Sequence, residues 1–335
     1  MAIPTLRGSS GTTTSHQIMS APNLGLELPS PSALNPQTNE LLHHYTTTLY
    51  ASLAADCPHT VWCVTIPQLG LEHPFVFSAI LALSALQLAS MVPQRRQELH
   101  ILALAQASSA LPSFRTLMRR PKPENIHALF AFAASTVYYI MASPGQVDRC
   151  RLPSRNDEYP HWFQTMRGFM AWVGNHWVPL AEGPLGLLIH RKDNHQNHAL
   201  KNPNDEQFAK LQGMFSSDRL SSNQLSERSV ETCKEALEDL RQVAGLSYSS
   251  SPSVKSVAAG WVGQVSQEFV ELVYERDPRA LVILAHYCVV LKRQDHVWYQ
   301  EGLGAGLLEN IRQALAEEWL PWIEWAREQP VSTNQ

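Results

Sequence analysis

The 335-residue sequence has little charge and no ordered set of cysteines. Charged residues make up 17% of it and the net charge is −4, so it lacks the basic excess that a nucleic-acid-binding surface needs. Its five cysteines are odd in number, scattered, and without a C-x-x-C pair, which argues against a disulfide framework and a zinc cluster. We therefore expect reduced thiols, no nucleic-acid contact and a cytoplasmic location.

Signals for export, membrane insertion and common enzyme chemistry are also missing. The N-terminal residues MAIPTLRGSSGTTTSHQ contain no apolar run and do not form a signal peptide. The most apolar segment, Pro74–Met91, is interrupted by Ser78, Ser84 and Gln87, which favours a buried helix over a membrane span. The sequence has no phosphate-binding glycine loop, G-x-S-x-G elbow, H-E-x-x-H, kinase motifs or D-D-x-x-D box. Function must then come from the few polar groups of the core.

Helical periodicity dominates the sequence from Asn39 onwards. Hydrophobic residues make up 44% of the chain, and apolar positions recur at steps of three and four, with no long strand alternation. We predict an all-α fold, with a single domain of about ten helices around a hydrophobic pocket. This domain is predicted to cover residues 37–328, between a disordered Ser/Thr/Pro-rich segment at 1–36 and a tail at 329–335.

The segment Asp277–Tyr299 is the most strongly patterned part of the chain. Asp277 can cap a helix and Pro278 suits its first position, where a missing N–H costs nothing. Residues three and four apart then share one face: Leu281, Leu284, Cys288, Leu291, Asp295 and Trp298. The segment is therefore predicted to be one long helix with an apolar face and a carboxylate on that face.

A preceding helix over 254–274 is predicted to pack antiparallel to this segment, because the turn between them is very short. This pairing places Trp261 near Asp295 and Glu268 near His286, so that two carboxylates and a large aromatic ring converge. The alternative is structural: Asp295 pairs with an arginine or caps a neighbouring helix, and Glu268 lies at the edge of the apolar face.

A second polar cluster is Asn156-Asp157-Glu158, which has Arg155 before it and Arg167 after it. Oxygen ligands beside an arginine suit magnesium and a diphosphate, whereas the alternative is a solvated acidic loop before a helix. The patch at 190–198 could also bind a metal, but its histidine spacing is irregular. Several aromatic residues could form core or line a cavity: Phe130, Tyr138, Tyr139, Trp172, Trp261 and Tyr287.

Several segments carry a family resemblance: HHYTTTLYASL, HPFVFSAILALSALQLA, WFQTMRG with a following GPL, RDPRALVILAHYCVVLKRQDHVWYQEG and EWLPWIEW. In this order, from Leu41 to Trp325, they resemble the C-terminal effector domain of fungal zinc-cluster regulators of the sterol-uptake-control type. The resemblance implies an all-α, dimeric domain that binds a sterol in a hydrophobic pocket.

The sequence departs from that family in ways that bear on function. It has neither the six-cysteine zinc cluster nor the basic region, so we do not expect a self-sufficient regulator. Gln87 stands where the family usually has histidine, and Gly302-Leu303-Gly304 replaces a Gly-Trp-Gly. In length, in the missing cluster and in its aromatic all-α core, the chain is also similar to the fungal α-humulene synthases of tropolone-sesquiterpenoid pathways.

The similarity to these synthases implies a terpene cyclase, a carbon–oxygen lyase that converts farnesyl diphosphate to α-humulene in fungal secondary metabolism. Magnesium would trigger ionisation of the diphosphate before 1,11-ring closure. The implied residues are metal ligands at Asp157, Glu158 and Asp295, diphosphate contacts at Arg167, Lys292 and Arg293, and a catalytic pocket wall at Trp261 and Tyr287. Arg167 could instead serve only the fold, since its motif is shared with the regulators.

The alternative function is a regulator-like protein without a zinc cluster that binds a sterol or another hydrophobic ligand. An unrelated helical scaffold is a third hypothesis. A cyclase needs carboxylates and cations together at one end of an apolar cavity, whereas a sterol binder needs only one or two hydroxyl partners. The arrangement of the polar side chains therefore distinguishes the two.

Overall fold

The computed structural model describes residues 35–54, 60–143, 149–156, 162–189, 202–215, 227–249, 258 and 260–331. Every regular element within these ranges is helical and none is a strand. The predicted all-α fold class is therefore confirmed. The predicted limits of the domain, at 37 and 328, stay predictions.

The α-helices follow one another along the whole described chain. They are α1 Pro36–His44, α2 Tyr50–Ala54, α3 Ile66–Glu72, α4 Pro74–Met91, α5 Arg96–Met118, α6 Ile126–Ala142, α7 Trp162–Asn175, α8 Trp177–Ala181, α9 Gly186–Ile189, α10 Asp205–Lys210, α11 Glu227–Leu246, α12 Gln267–Tyr274, α13 Pro278–Lys292, α14 Leu303–Ala314 and α15 Glu324–Glu328. Short 3-10 and π-helical turns lie at Tyr45–Leu49, Val61–Thr65, Pro93–Arg95, Leu211–Phe215, Gly260–Gly263 and Glu317–Ile323.

Helix α4 organises the first half of the fold. It is apolar on all sides, and it packs against α1, α3, α5 and α6. By length and composition alone it could cross a membrane, but 67% of that stretch is buried inside the protein. Its burial matches the prediction of a buried core helix.

Helix α13 is the central helix of the second half of the fold. Every residue from Arg279 to Lys292 is buried. The carboxylate of Asp277 caps it by accepting from the N–H groups of Arg279 at 2.9 Å and Ala280 at 3.3 Å. The same carboxylate pairs with the Arg279 side chain at 2.8 Å. The prediction of a single buried face was too narrow, because α11, α12, α14 and the C-terminal helices surround α13.

Both helices of the predicted hairpin are shorter than expected. Helix α13 ends at Lys292, so Asp295 lies in the turns beyond it and not on its apolar face. Helix α12 begins only after Ser266, whose hydroxyl accepts from the Phe269 N–H at 3.2 Å, which leaves Trp261 in a separate 3-10 turn. The very short connection itself is confirmed.

Candidate ligand-binding site

The three predicted diphosphate contacts bind main-chain groups of this chain in three different places. Arg167 lies on α7 and donates to the carbonyl oxygens of Val262 at 3.2 Å and Val265 at 2.6 Å. It also donates to the side-chain oxygen of Gln267 at 3.1 Å. Arg167 therefore holds the 3-10 turn that precedes α12, in agreement with a role in the fold.

Lys292 is buried at the end of α13 and holds the C-terminal helix. Its Nζ donates to the carbonyl oxygens of Ala326 at 3.1 Å, Arg327 at 3.3 Å and Gln329 at 2.9 Å. These oxygens belong to the last turn of α15 and the residue after it, where a cation is favoured by the helix dipole. The amino group is thus fully used within the fold.

Arg293 follows Lys292 but points to another segment. Its guanidinium carbon lies 3.5 Å from the ring centroid of Tyr248, and its Nε donates to the Ser247 carbonyl oxygen at 3.4 Å. Arg167, Lys292 and Arg293 each serve a different element. The structure does not bring them together around a common anion.

Asp295 is the one predicted magnesium ligand in the described part of the chain, because Asp157 and Glu158 lie outside it. Its Oδ1 accepts from the N–H of Gly302 at 2.7 Å, immediately before α14. Gly302 has a φ of 73°, a conformation that favours glycine, which explains the glycine at this position. Among the described residues, no group of three or more His, Cys, Asp or Glu side chains could hold a metal ion.

Asp295→Ala is expected to lower the free energy of unfolding by about 1 kcal/mol, because it removes the acceptor that orders the start of α14. Asp295→Asn keeps an acceptor oxygen at the same place and is expected to stay close to the wild type. Urea unfolding followed by circular dichroism measures both. Equal losses for the two variants would contradict the capping role and point to a need for the negative charge.

Trp261 and Tyr287, the predicted pocket wall, do lie together. Their ring centroids are 5.0 Å apart, and Phe269 packs edge-on to Trp261 at 5.6 Å. Both side chains are fully buried. Asp295 is not part of this group, since the turn that carries Trp261 packs against Tyr287 of α13 and Asp295 binds Gly302.

The predicted approach of Glu268 to His286 is wrong. Glu268 is exposed and pairs with Arg228 at 3.0 Å. His286 is buried between aromatic rings instead, with Phe208 edge-on at 5.6 Å and Trp325 stacked at 5.5 Å. The two carboxylates therefore do not converge with the aromatic rings in the core.

We expect the buried His286 to make the protein less stable in acid. Burial lowers the pKa of His286 from 6.5 to about 4, so the folded state resists protonation that the unfolded chain accepts. Its contribution to stability is complete above pH 6.5 and is lost as the pH falls towards 4. We expect a loss of roughly 3 kcal/mol across that window, measured by urea unfolding at several pH values.

His286→Phe is the control for this pH dependence, because it keeps a ring against Trp325 and removes the titrating group. The difference in unfolding free energy between the two proteins should change between pH 6.5 and 4 and stay constant above pH 6.5. Parallel pH profiles for wild type and variant would contradict the assignment to His286.

The structure reveals a site that sequence patterns did not predict, where a hydrogen-bond chain meets a row of aromatic rings. We call it the aromatic–polar cluster; it comprises His44, Ser52, Trp62, Gln87, Tyr138, Trp298 and Tyr299. Its members come from α1, α2, α4, α6, the turn before α3 and the segment after α13. The sequence shows Gln87 as a polar interruption of an apolar segment and as a departure from the resembled family, and nothing in its spacing indicates these partners.

The polar half of the cluster is a continuous chain of hydrogen bonds. Gln87 Oε1 lies 2.9 Å from His44 Nε2, and Gln87 Nε2 donates to Ser52 Oγ at 3.1 Å. Trp298 Nε1 donates to the same Ser52 oxygen at 3.2 Å, and that hydroxyl donates to the Leu49 carbonyl at 2.8 Å. His44 therefore donates from Nε2, and burial lowers its pKa, which favours this neutral form.

The aromatic half contains a buried donor without an acceptor. Trp62 meets Tyr138 at 5.8 Å between ring centroids, Tyr138 meets Tyr299 at 4.8 Å, and Tyr299 meets Trp298 at 5.6 Å. Tyr45 donates its hydroxyl to the Trp62 carbonyl at 2.6 Å and fixes that residue. The indole Nε1 of Trp62 is buried and has no hydrogen-bond partner among the described residues. Apolar rings beside a buried N–H have the chemistry that an apolar ligand with an oxygen atom would need.

Comparison with known proteins gives one relevant similarity. No family model matches the chain. Over 307 residues, it is 27% identical to a protein named Zn(2)-C6 fungal-type transcription factor from Gibberella zeae. The aligned region covers 85% of this chain and 60% of that relative, so the chain spans less than two thirds of the relative's length. The similarity agrees with the regulator-like scaffold expected from the sequence.

The expectation of an enzyme is corrected by this finding. The relative is named as a transcription factor, which points to a non-enzymatic regulator and away from a terpene cyclase or lyase. In the structure, Arg167, Lys292 and Arg293 bind separate segments, and Asp295 accepts a hydrogen bond from Gly302 at the start of α14. A similarity to an α-humulene synthase is not shown by this comparison.

Proposed function

We propose that this chain is a regulatory protein of the Zn(2)-C6 transcription-factor type, whose helical domain binds a hydrophobic ligand. The observation that carries the proposal is the similarity to a fungal transcription factor along 85% of the chain. The sterol-like ligand and the homodimer implied by the family resemblance belong to the same proposal. A regulator acts in the nucleus, so the proposed location includes the nucleus beside the cytoplasm.

The aromatic–polar cluster supports a ligand that is mostly apolar and carries an oxygen. Its rings offer apolar faces, while the bonds of Gln87 and Ser52 are already satisfied within the protein. A buried N–H without an acceptor costs about 1–3 kcal/mol, which a ligand oxygen at Trp62 Nε1 would relieve. In the proposal, Trp62 therefore anchors a hydroxyl or carbonyl oxygen of the ligand.

Equilibrium binding of a fluorescent sterol tests this function. Trp62→Phe keeps the ring and removes the N–H, so we expect about tenfold weaker binding than in the wild type. Trp261→Phe is the matched control, since it removes another buried indole N–H that has no hydrogen-bond partner in the described part of the chain and lies at a different place. Its affinity should equal that of the wild type.

Two results would contradict the proposal. One is the absence of saturable sterol binding by the folded wild-type chain. The other is an equal loss of affinity in Trp62→Phe and Trp261→Phe, which would remove the special role of the aromatic–polar cluster. Circular dichroism of each variant confirms that loss of binding does not reflect unfolding.

A further inference from the structure

Helix α5 is a long surface helix that packs mainly on α4. The contact is antiparallel, with Ser109 Oγ 3.4 Å from Ser78 Oγ and the ring of Phe114 6.4 Å from that of Phe75. Leu99, Ala103 and Ala110 are the buried positions of α5. On the face that points away from α4, the described side chains are mostly exposed.

That outer face lacks the charge that a surface helix normally carries. From residue 99 to residue 114 the sequence contains no Lys, Arg, Asp or Glu. Ile101 and Leu104 are 64% and 60% exposed on this face. Ala105, Ser108 and Pro112 are exposed on the same side, and they leave room for a close neighbour. An amphipathic surface helix would have polar and charged groups here, so the face has the composition of a contact surface.

The C-terminal end of the same face is strongly basic. Arg115, Arg119 and Arg120 are exposed, and none of them forms an ion pair with a carboxylate of the described chain. Lys122 follows and pairs with Glu124 at 3.4 Å. Three arginines without an ion pair to any described carboxylate stand out in a chain whose net charge is −4. They attract a partner of opposite charge at one end of the apolar stretch.

We propose that the outer face of α5 binds an acidic amphipathic helix of a partner protein. The α5 docking surface consists of Ile101, Leu104, Ala105, Ser108, Arg115 and Arg119. Its uncharged part is about 24 Å long at 1.5 Å per residue, which matches a partner helix of about four turns. The apolar side of that helix lies on Ile101 and Leu104, and its acidic end meets Arg115 and Arg119.

Three other occupants of the α5 docking surface are less suitable than an acidic helix of a partner protein. Residues 1–34 contain a single acidic residue, Glu27, and so do not supply the acidic end. A second copy of α5 would place the same uncharged stretch and the same arginines on the surface and would add no acidic cluster. A lipid surface is disfavoured because the exposed stretch has small residues and no Trp to insert into the headgroup region.

A labelled peptide of about 20 residues tests the surface directly, since this length forms a helix. It carries leucines at steps of three and four and glutamates at one end. We expect saturable binding to the full chain by fluorescence anisotropy, weakened by salt. Ile101→Gln with Leu104→Gln, and separately Arg115→Glu with Arg119→Glu, should each weaken it about tenfold.

Controls use exposed apolar residues elsewhere. Leu71→Gln and Val178→Gln alter side chains that are 79% and 62% exposed and should leave peptide affinity unchanged. A peptide with lysines in place of the glutamates should bind at least tenfold more weakly.

Three results would overturn the proposal. The first is no saturable binding, or equal binding of the acidic and basic peptides. The second concerns self-association, measured by sedimentation. It is the result that the wild type self-associates and that the double variant Ile101→Gln with Leu104→Gln loses this self-association but still binds the peptide equally well. The third is loss of binding to anionic phospholipid vesicles in that variant without any change in affinity for the peptide. Sterol binding is measured on the same variants. A failure of the α5 proposal can then be distinguished from a failure of the proposed ligand site at Trp62.

Discussion

Replacing Asp277 by alanine is expected to lower the free energy of unfolding by about 4 kcal/mol. The carboxylate accepts from two backbone N–H groups at the start of α13, and it pairs with Arg279 at 2.8 Å. Both side chains are only 2% exposed. Asp277→Ala therefore removes a helix cap and also leaves a buried guanidinium without its counter-charge. Urea unfolding measures the loss.

Two variants separate these causes. Asp277→Ala combined with Arg279→Met removes both charges and should recover most of the loss, since replacing a buried ion pair by apolar groups is often neutral. Asp205→Ala breaks the more exposed ion pair with Arg241, so it should cost less than about 1 kcal/mol. An Asp277→Ala loss as small as that of Asp205→Ala would contradict the importance of the buried pair.

Gly304→Ala is expected to lower the free energy of unfolding by about 2 kcal/mol. A Cβ atom at Gly304 would lie 2.7 Å from the backbone nitrogen of Lys292 and 2.8 Å from the carbonyl oxygen of Cys288. Both are main-chain atoms of α13, so no side chain can move aside. Helix α14 can approach α13 closely because Gly304 has no Cβ atom. Thermal or urea unfolding measures the loss of stability in the variant.

Glycines elsewhere in helices provide the matched comparison. A Cβ atom at Gly168 or Gly174 of α7 meets nothing within 4 Å. Gly168→Ala and Gly174→Ala should therefore stabilise the protein by about 0.5–1 kcal/mol, because alanine has the higher helix propensity. A Gly304→Ala variant as stable as these two would contradict the packing of α14 on α13.

Structural features that depend on neighbouring residues were predictable from the sequence. The capping role of Asp277 and the nearly continuous apolar character of α4 are encoded in neighbouring residues, and the structure confirms them. The ends of helices were less predictable. The hydroxyl of Ser266 begins α12 and separates it from Trp261, although periodicity suggested one continuous helix.

The candidate site could not be predicted from spacing, because its contacts join residues that are far apart in the chain. Gln87 reaches His44 and Ser52 on preceding helices, and Trp298 reaches the same serine from the segment after α13. Lys292 is predicted from the sequence to contact a diphosphate, and that role stays a prediction. In the structure its Nζ donates to carbonyl groups at a helix end 34 to 37 residues later, a contact that spacing does not indicate.

Each glycine of the Gly302-Leu303-Gly304 segment is required for a different structural reason. Gly302 adopts a left-handed conformation and donates to Asp295, while Gly304 permits the contact with α13. The sequence identified this segment only through a departure from the resembled family. Its role follows from backbone geometry, which a list of residues does not contain.

Transcription from a reporter gene tests the central claim most directly. The full chain is fused to a DNA-binding domain from another protein, and reporter output is compared with that of the DNA-binding domain alone at equal protein levels. The proposed regulatory function predicts a change in output that depends on a hydrophobic ligand and is reduced in Trp62→Phe but not in Trp261→Phe. Output equal to that of the DNA-binding domain alone, with or without sterol, would contradict it.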